Sequence, residues 1–374
     1  RSSINFTLQD LVKITRICRK AQVKTYLTVN TVIYDSEVRE MKRIVDSAKK
    51  NGVNAIIASD QAVIQYARSI GISVHMSTQT NITNLEAVKY WSQVADVMVT
   101  ARELNLDQIA SIFRAIKRDK IIGPSGELVK LELFAHGALC MAVSGKCYLS
   151  LDHYNASANR GACYQVCRRP YRVTDFDGEV ELVVDNEYIM SPKDLCTIGF
   201  LHKMVRAGVS ILKIEGRGRS PEYVKTVTSC YREAIDAIAD KTYSQELVNG
   251  WMKRLTSVYN RGFWDGYYLG QTMGEWTEQH GSVATRSKVY IGKVTNYFTK
   301  VKVAEIKLES GYLASGDQIY IQGPTTGIVE MTIPEIRVDL KPVLQAKKGE
   351  VCSIHVPEFL RRADKLYKII PPSK

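Results

Sequence analysis

The sequence predicts an α/β protein: a TIM-like (β/α)8 barrel without its first strand in this chain, a long cysteine-bearing insertion, and a small C-terminal all-β barrel. Three observations predict it. Short, mostly apolar strands alternate with amphipathic helices over residues 1–240, the signature of a parallel sheet covered by helices. One connection, residues 138–187, is far longer than the few residues usual between such elements. Beyond about residue 286, short alternating runs separated by glycine turns replace the helices.

Taken in order, Thr7 caps a helix over 7–22, with Asp10 three positions on and Leu8, Leu11, Val12 and Ile14 on one face. The strand "KTYLTVN" (24–30) follows, then a helix capped by Ser36 and closed by Gly52, then "AIIAS" (55–59). Further strands are expected at 73–79, 96–101, 131–137, 188–191 and 210–216, with helices around 83–92, 105–117, 192–206 and 220–239. This gives seven strands, and the chain opens on a helix where a barrel opens on a strand, so the first strand is expected upstream of Arg1. An open doubly wound sheet is the alternative, but no early strand is followed by a glycine-rich phosphate loop. "EGRGRS" (215–220) starts a dinucleotide fingerprint that Pro221 breaks. Residues 241–285 read as a connecting region, in which "GFWDGYYLG" is expected to be packing. Residues 286–374 form the β-barrel, and its phrase "YLASGDQIYIQG" resembles the second domain of elongation factor Tu.

Composition narrows the classes. Lysine plus arginine exceed aspartate plus glutamate by 51 − 39 = 12 and the pI is near 9.2, which favours a polyanionic partner. No apolar run approaches the roughly 20 residues of a membrane helix, and the N-terminus lacks the apolar core of a signal peptide, so a cytoplasmic address is expected. In that compartment the eight cysteines are not a disulfide scaffold. Cys18, Cys230 and Cys352 read as small buried hydrophobes.

Cys140, Cys147, Cys163 and Cys167 are different, because all four fall within 28 residues in the pattern C-x6-C-x15-C-x3-C. Zinc knuckles use closer pairs, whereas iron-sulfur centres accept wider spacings. Cys196, placed in the second turn of the helix expected at 192–206, is an alternative fourth ligand. Barrel chemistry sits at the carboxyl ends of strands, where the sequence offers Asn30, Gln79, Arg102, Glu103, His136, Lys213, Glu215 and Arg217. His136, Glu103 and Glu215 are the acid or base candidates there. Arg160, Arg168, Arg169 and Arg172, interleaved with Tyr164 and Tyr171, suit phosphates and unpaired bases. No HExxH or GxSxG motif supports hydrolysis.

The stretch "ELFAHGALCMAVSGKCYLS" carries Glu132, Phe134, Gly137, Ala138, Leu139, Cys140, Gly145, Cys147, Leu149 and Ser150 at the fixed positions of a signature. It resembles that of the collagenase-like peptidase U-32 family, as do "NRGACYQVCRRPY", "SPKDL" and "LKIEGRGRSPEYV". The resemblance implies either a peptidase or an RNA hydroxylase, since members of both descriptions share the signature. The order of elements looks most like the branch that makes 5-hydroxyuridine at the tRNA wobble position with prephenate as oxygen source; other members hydroxylate a ribosomal RNA cytidine or a ubiquinone precursor. For this chain it implies a 4Fe-4S cluster on the clustered cysteines and prephenate held by Arg102 and Arg217, with Lys213, Gln79 and Asn30 beside them. It implies tRNA as partner, with a paralogous subunit as a further candidate and no membrane.

Overall fold

The computed structural model describes residues 6–172 and 188–372. In chain order the elements of the first part are α1 (Leu8–Lys20), β1 (Tyr26–Val29), α2 (Val38–Lys50), β2 (Ala55–Ala58), α3 (Gln61–Ser69), β3 (Ser73–Met76), α4 (Leu85–Ser92) and β4 (Val97–Val99). There follow α5 (Leu106–Arg118), β5 (Lys130–Ala138), α6 (Leu149–Tyr154), β6 (Asp194–Cys196), α7 (Leu201–Arg206), β7 (Ile211–Ile214), α8 (Pro221–Ala239), α9 (Gln245–Thr256) and β8 (Phe263–Trp264). The last part is all strand: β9 (Ser287–Phe298), β10 (Val303–Leu308), β11 (Tyr312–Ala314), β12 (Gln318–Gly323), β13 (Gly327–Thr332), β14 (Ile336–Val338), β15 (Lys341–Val343), β16 (Gln345–Lys347), β17 (Val351–His355) and β18 (Lys365–Ile370).

The chain divides into two compact units. The first comprises residues up to Gly218 with Tyr231–Val248 and Arg261–Ser282; the second comprises Arg219–Cys230, Asn249–Asn260 and everything from Val283. In the first unit β1 to β5 pair side by side in parallel, and β7 joins β5 in parallel. The far end of β5 pairs antiparallel with β6, which β8 extends in parallel. This is an α/β unit with a mostly parallel sheet. Helices cover the sheet, so its strands bury a row of apolar side chains: Ile56, Val74, Met76, Met98, Leu131 and Leu133 are at most 1% exposed. Each such side chain contributes roughly 1.5–3 kcal/mol by leaving water.

Local chemistry sets the helix starts. Thr7 and Asp10 form the reciprocal capping box expected of them, and Asn105 with Gln108 forms another on α5. Gly52 closes α2 at φ +72, a conformation that a side chain disfavours. Ser36 is not a cap. It lies in a short 3-10 turn, Asp35–Glu37, where the Glu37 carboxylate accepts the Tyr34 N–H. The helix α3, capped by the Asp60 side chain, goes beyond the sequence reading.

One region differs more. Residues 188–190 form a turn where a strand is expected, and the strand is Asp194–Cys196. Only Leu201–Arg206 of the expected helix 192–206 is helical. The physical reason is tertiary: Asp194 is 1% exposed and ion-paired to Arg261 at 3.1 Å, and the far end of β5 offers a free ladder to the segment beside it. Cys196 therefore lies on a strand, not in a helix. The sheet also reaches eight strands through β8, inside the "GFWDGYYLG" stretch that the sequence reads as packing.

The strands of the second unit form an antiparallel sheet in the order β13-β12-β18-β9-β10-β17-β14-β15, with β11 and β16 paired separately. Its strands alternate buried and open positions, most plainly β10, and their inner faces meet in a core that includes Ile291, Ile306, Leu308, Ile319, Ile321 and Leu366.

Candidate functional site

The carboxyl ends of β1 to β5 and β7 share one polar rim in the first unit. At β1 to β3, Asn30 donates to the Ser77 hydroxyl (3.1 Å), and Ser59 donates to the side-chain oxygen Oε1 of Gln79 (2.9 Å). A Cβ on Gly145 would stand 3.0 Å from the Gln79 side chain, so the loop between Cys140 and Cys147 rests on this rim. Gly145 also sits at φ +78, which explains why the signature position is a glycine.

The centre of the site is β5. The Arg102 guanidinium lies 4.0 Å from the Phe134 ring centroid and the Lys213 ammonium 5.7 Å from the same centroid, so cations from β4 and β7 converge on one buried ring. Lys213 also donates to the buried Glu132 carboxylate at 2.6 Å. Arg102 Nε, Thr78 Oγ1 and Thr100 Oγ1 are buried without a hydrogen-bond partner among the described residues. Buried donors of this kind are expensive unless something accepts from them, and together with two cations they suit an anionic or carbonyl oxygen. Beneath the rim, His75 packs tilted against Tyr26 with ring centroids 4.6 Å apart, and burial lowers its pKa despite the pull of Glu132. The sequence reading missed Glu132 and His75 as site residues because both lie inside strands. The available signal was a carboxylate in the otherwise apolar "LELFA", which has to find a cation.

Of the acid or base candidates, Glu103 is exposed and Glu215 half-buried, its carboxylate accepting the Arg217 backbone N–H at 2.9 Å. Arg217 is exposed. His136 is 1% exposed, with Nδ1 3.4 Å from the Tyr231 hydroxyl, which donates to the Ala135 carbonyl at 2.7 Å. Burial pushes Tyr231 well up, so that hydroxyl keeps its proton. Cys196 faces the same hydroxyl at 3.9 Å. The pair sits in a packed network below the rim.

The insertion is tied to neighbouring loops of the first unit by two arginines that the sequence reads as nucleic-acid contacts. Arg160 forks onto Glu37, donates to the Val32 carbonyl and covers the Tyr34 ring. Arg168 donates to the carbonyls of Leu139 and Pro192 and to the Ser191 hydroxyl, and burial lowers its pKa. Both serve internal anchoring. Arg169 and Arg172 are exposed, Arg169 against Tyr154; Tyr164 is exposed, and Tyr171 donates to the Val166 carbonyl.

Cys140 and Cys163 are exposed, Cys147 and Cys167 half-buried. Burial pushes the Cys167 thiol up to about 11, and Cys140, Cys163 and Cys147 each add to the push, so four thiols share one electrostatic neighbourhood. In number and type they fit an iron-sulfur donor set. Among the described residues, no group of three or more His, Cys, Asp or Glu side chains stands ready to hold a metal ion. Of the cysteines read as packing, Cys230 and Cys352 are buried and Cys18 is partly open.

Comparison with known proteins gives this rim a family. A protein of Porphyromonas gingivalis called Collagenase is 56% identical over 98% of this chain and 89% of its own length. An uncharacterized protease of Methanocaldococcus jannaschii is 37% identical over 97% of this chain and 88% of its own. A Bacillus subtilis protein called tRNA hydroxylation protein P1 is 30% identical over 86% of this chain and 75% of its own. The model of peptidase family U32 matches residues 1–278, which span the rim, the insertion and β8 alike, and the chain belongs to that family.

Proposed function

We propose that this protein is a polypeptide hydrolase of the collagenase-like kind, with its substrate lying across the carboxyl end of β5. The observation that carries this reading is likeness over nearly the whole chain: 56% identity to a protein called Collagenase, against 30% to a tRNA hydroxylation protein. We read the parallel strands as part of a TIM-like barrel, whose chemistry belongs at this end. Arg102 and Glu215 follow the strands on either side of β5, and two strand spacings, about 10 Å, leave room for a peptide bond and a water molecule. Glu215 takes a proton from the water as its oxygen bonds to the scissile carbonyl carbon. Arg102 opposes the charge that develops on the carbonyl oxygen, and the proton passes to the departing amine as the C–N bond breaks. Asn30, Gln79 and Lys213 orient the chain. Glu215→Gln and Arg102→Met are each expected to slow gelatin cleavage by about 10²-fold with unchanged melting. Cleavage indifferent to both changes would defeat the assignment.

A second reading is favoured by the four clustered thiols, which peptide hydrolysis leaves without a role. In it, Cys140, Cys147, Cys163 and Cys167 would hold a 4Fe-4S cluster, which when bound supplies redox chemistry, and the protein hydroxylates the wobble uridine of tRNA with prephenate as co-substrate. Arg102 and Lys213 would bind the prephenate carboxylates, and Arg169, Arg172 and Tyr164 the RNA. Loss of 5-hydroxyuridine-derived nucleosides from the tRNA of a deletion strain decides for this reading, and their retention against it.

A further inference from the structure

On the outer face of the antiparallel sheet in the second unit lies a cleft of about 680 Å³, within the usual range for ligand pockets. Its floor is the outward side of β17, where the register sets Ser353 opposite both Glu305 of β10 and Arg337 of β14. Its walls are two hairpin tips. Phe298 and Val301 rise from the β9–β10 turn, 45% and 62% exposed, and Leu340 rises from the β14–β15 turn, 84% exposed.

The second tip is costly to keep as it is. Asp339 and Leu340 are both left-handed, at φ +49 and +66, the two-residue turn that suits asparagine, aspartate and glycine. A leucine there meets the steric penalty of the left-handed region and also holds its side chain in water. Pro342 removes one backbone donor from the edge strand β15, which weakens strand addition there.

Charge narrows the occupant. Glu305, Glu335 and Asp339 line the cleft against Arg337, and Glu335 is paired with that arginine at 2.5 Å. Glu305, which accepts from the Thr295 hydroxyl at 2.6 Å, and Asp339 add two further carboxylates to the lining beside Ser353 and His355, in a chain whose net charge is +12.

We propose that this cleft docks a polypeptide segment that sets a bulky apolar side chain between Phe298 and Leu340, with lysine or arginine beside it reaching Glu305 and Asp339. The site goes beyond the catalytic reading and does not depend on it. The test is fluorescence anisotropy of the full chain with a labelled twelve-residue peptide of alternating leucine and lysine pairs, against the same peptide with glutamate for lysine. The lysine peptide is expected to bind at least about tenfold tighter. Leu340→Gly is expected to weaken it about tenfold while the melting temperature holds or rises, because glycine relaxes the turn. Asp339→Asn, which keeps the turn, is expected to narrow the preference for lysine. Equal binding of the two peptides, or Leu340→Gly binding unchanged, overturns the proposal. A concentration-dependent dimer that Leu340→Gly abolishes would assign the face to a second copy of the chain and overturn it equally.

Discussion

His75 shows how a single residue ties this fold to pH. Its imidazole is 6% exposed and packed against the Tyr26 ring. Burial disfavours its charged form, with Lys213 and Lys24 acting in the same direction and Glu132 and Asp96 opposing them. The folded pKa is therefore below the unfolded value of about 6.5. Above that value neither state binds the proton and the stability is fully present. As pH falls below it, the unfolded chain takes up a proton that the folded chain resists, and stability is lost by at most about 1.4 kcal/mol per pH unit. His75→Gln should flatten the fall in unfolding free energy between pH 7 and pH 5, measured in urea; the same slope in both proteins would refute this role. At this scale the sequence showed the rim well, because Asn30, Gln79 and Arg102 follow strands whose ends are legible. It hid Glu132 and His75, because a polar side chain inside a strand declares its partner only when the neighbouring strands are in place.

Among elements, the instructive one is the insertion. The sequence reads its arginines as a surface for phosphates, yet Arg160 reaches across 123 positions to Glu37, in the 3-10 turn that leads into α2. The Arg160 guanidinium, followed by the Tyr34 N–H, holds the Glu37 carboxyl down to about 2. Because that pKa is depressed, the tether is complete above about pH 4.5, the ordinary glutamate value, and weakens as pH falls toward 2. Glu37→Gln should speed amide hydrogen exchange across residues 155–161 at neutral pH while leaving β2 and β3 protected. Unchanged exchange there would mean that the Val32 and Asn159 backbone pairing suffices alone. Sequence spacing found the four thiols of this insertion but not what seats it, since an arginine's partner is not written in its neighbours. Cys196 teaches the same lesson: the sequence placed it in the helix expected at 192–206, and the ladder offered by β5 overrode that local signal.

For the whole molecule, the end of the first unit's sheet where β8 joins β6 carries a buried pair, Asp194 on β6 with Arg261 just before β8, respectively 1% and 7% exposed. Asp194→Asn removes the negative charge from this buried pair and should cost up to about 3–5 kcal/mol. Chemical denaturation measures this, and a loss below about 1 kcal/mol would show that the pair is not needed. Among the described residues no helix is long and apolar enough to cross a membrane. The sequence by itself determined the alternation of strand and helix, the change to antiparallel strands after residue 286, the capping of α1 and the clustering of four cysteines. Periodicity, caps and spacing are local properties, and a chain carries them before it folds. Only the tertiary structure decided that β6 runs against β5, that β8 completes the eighth strand, that two cations meet over Phe134, and that Cys196 faces Tyr231. Those outcomes join residues tens of positions apart, and the energy that selects them, burial and the pairing of buried charge, exists only once the neighbouring strands have assembled.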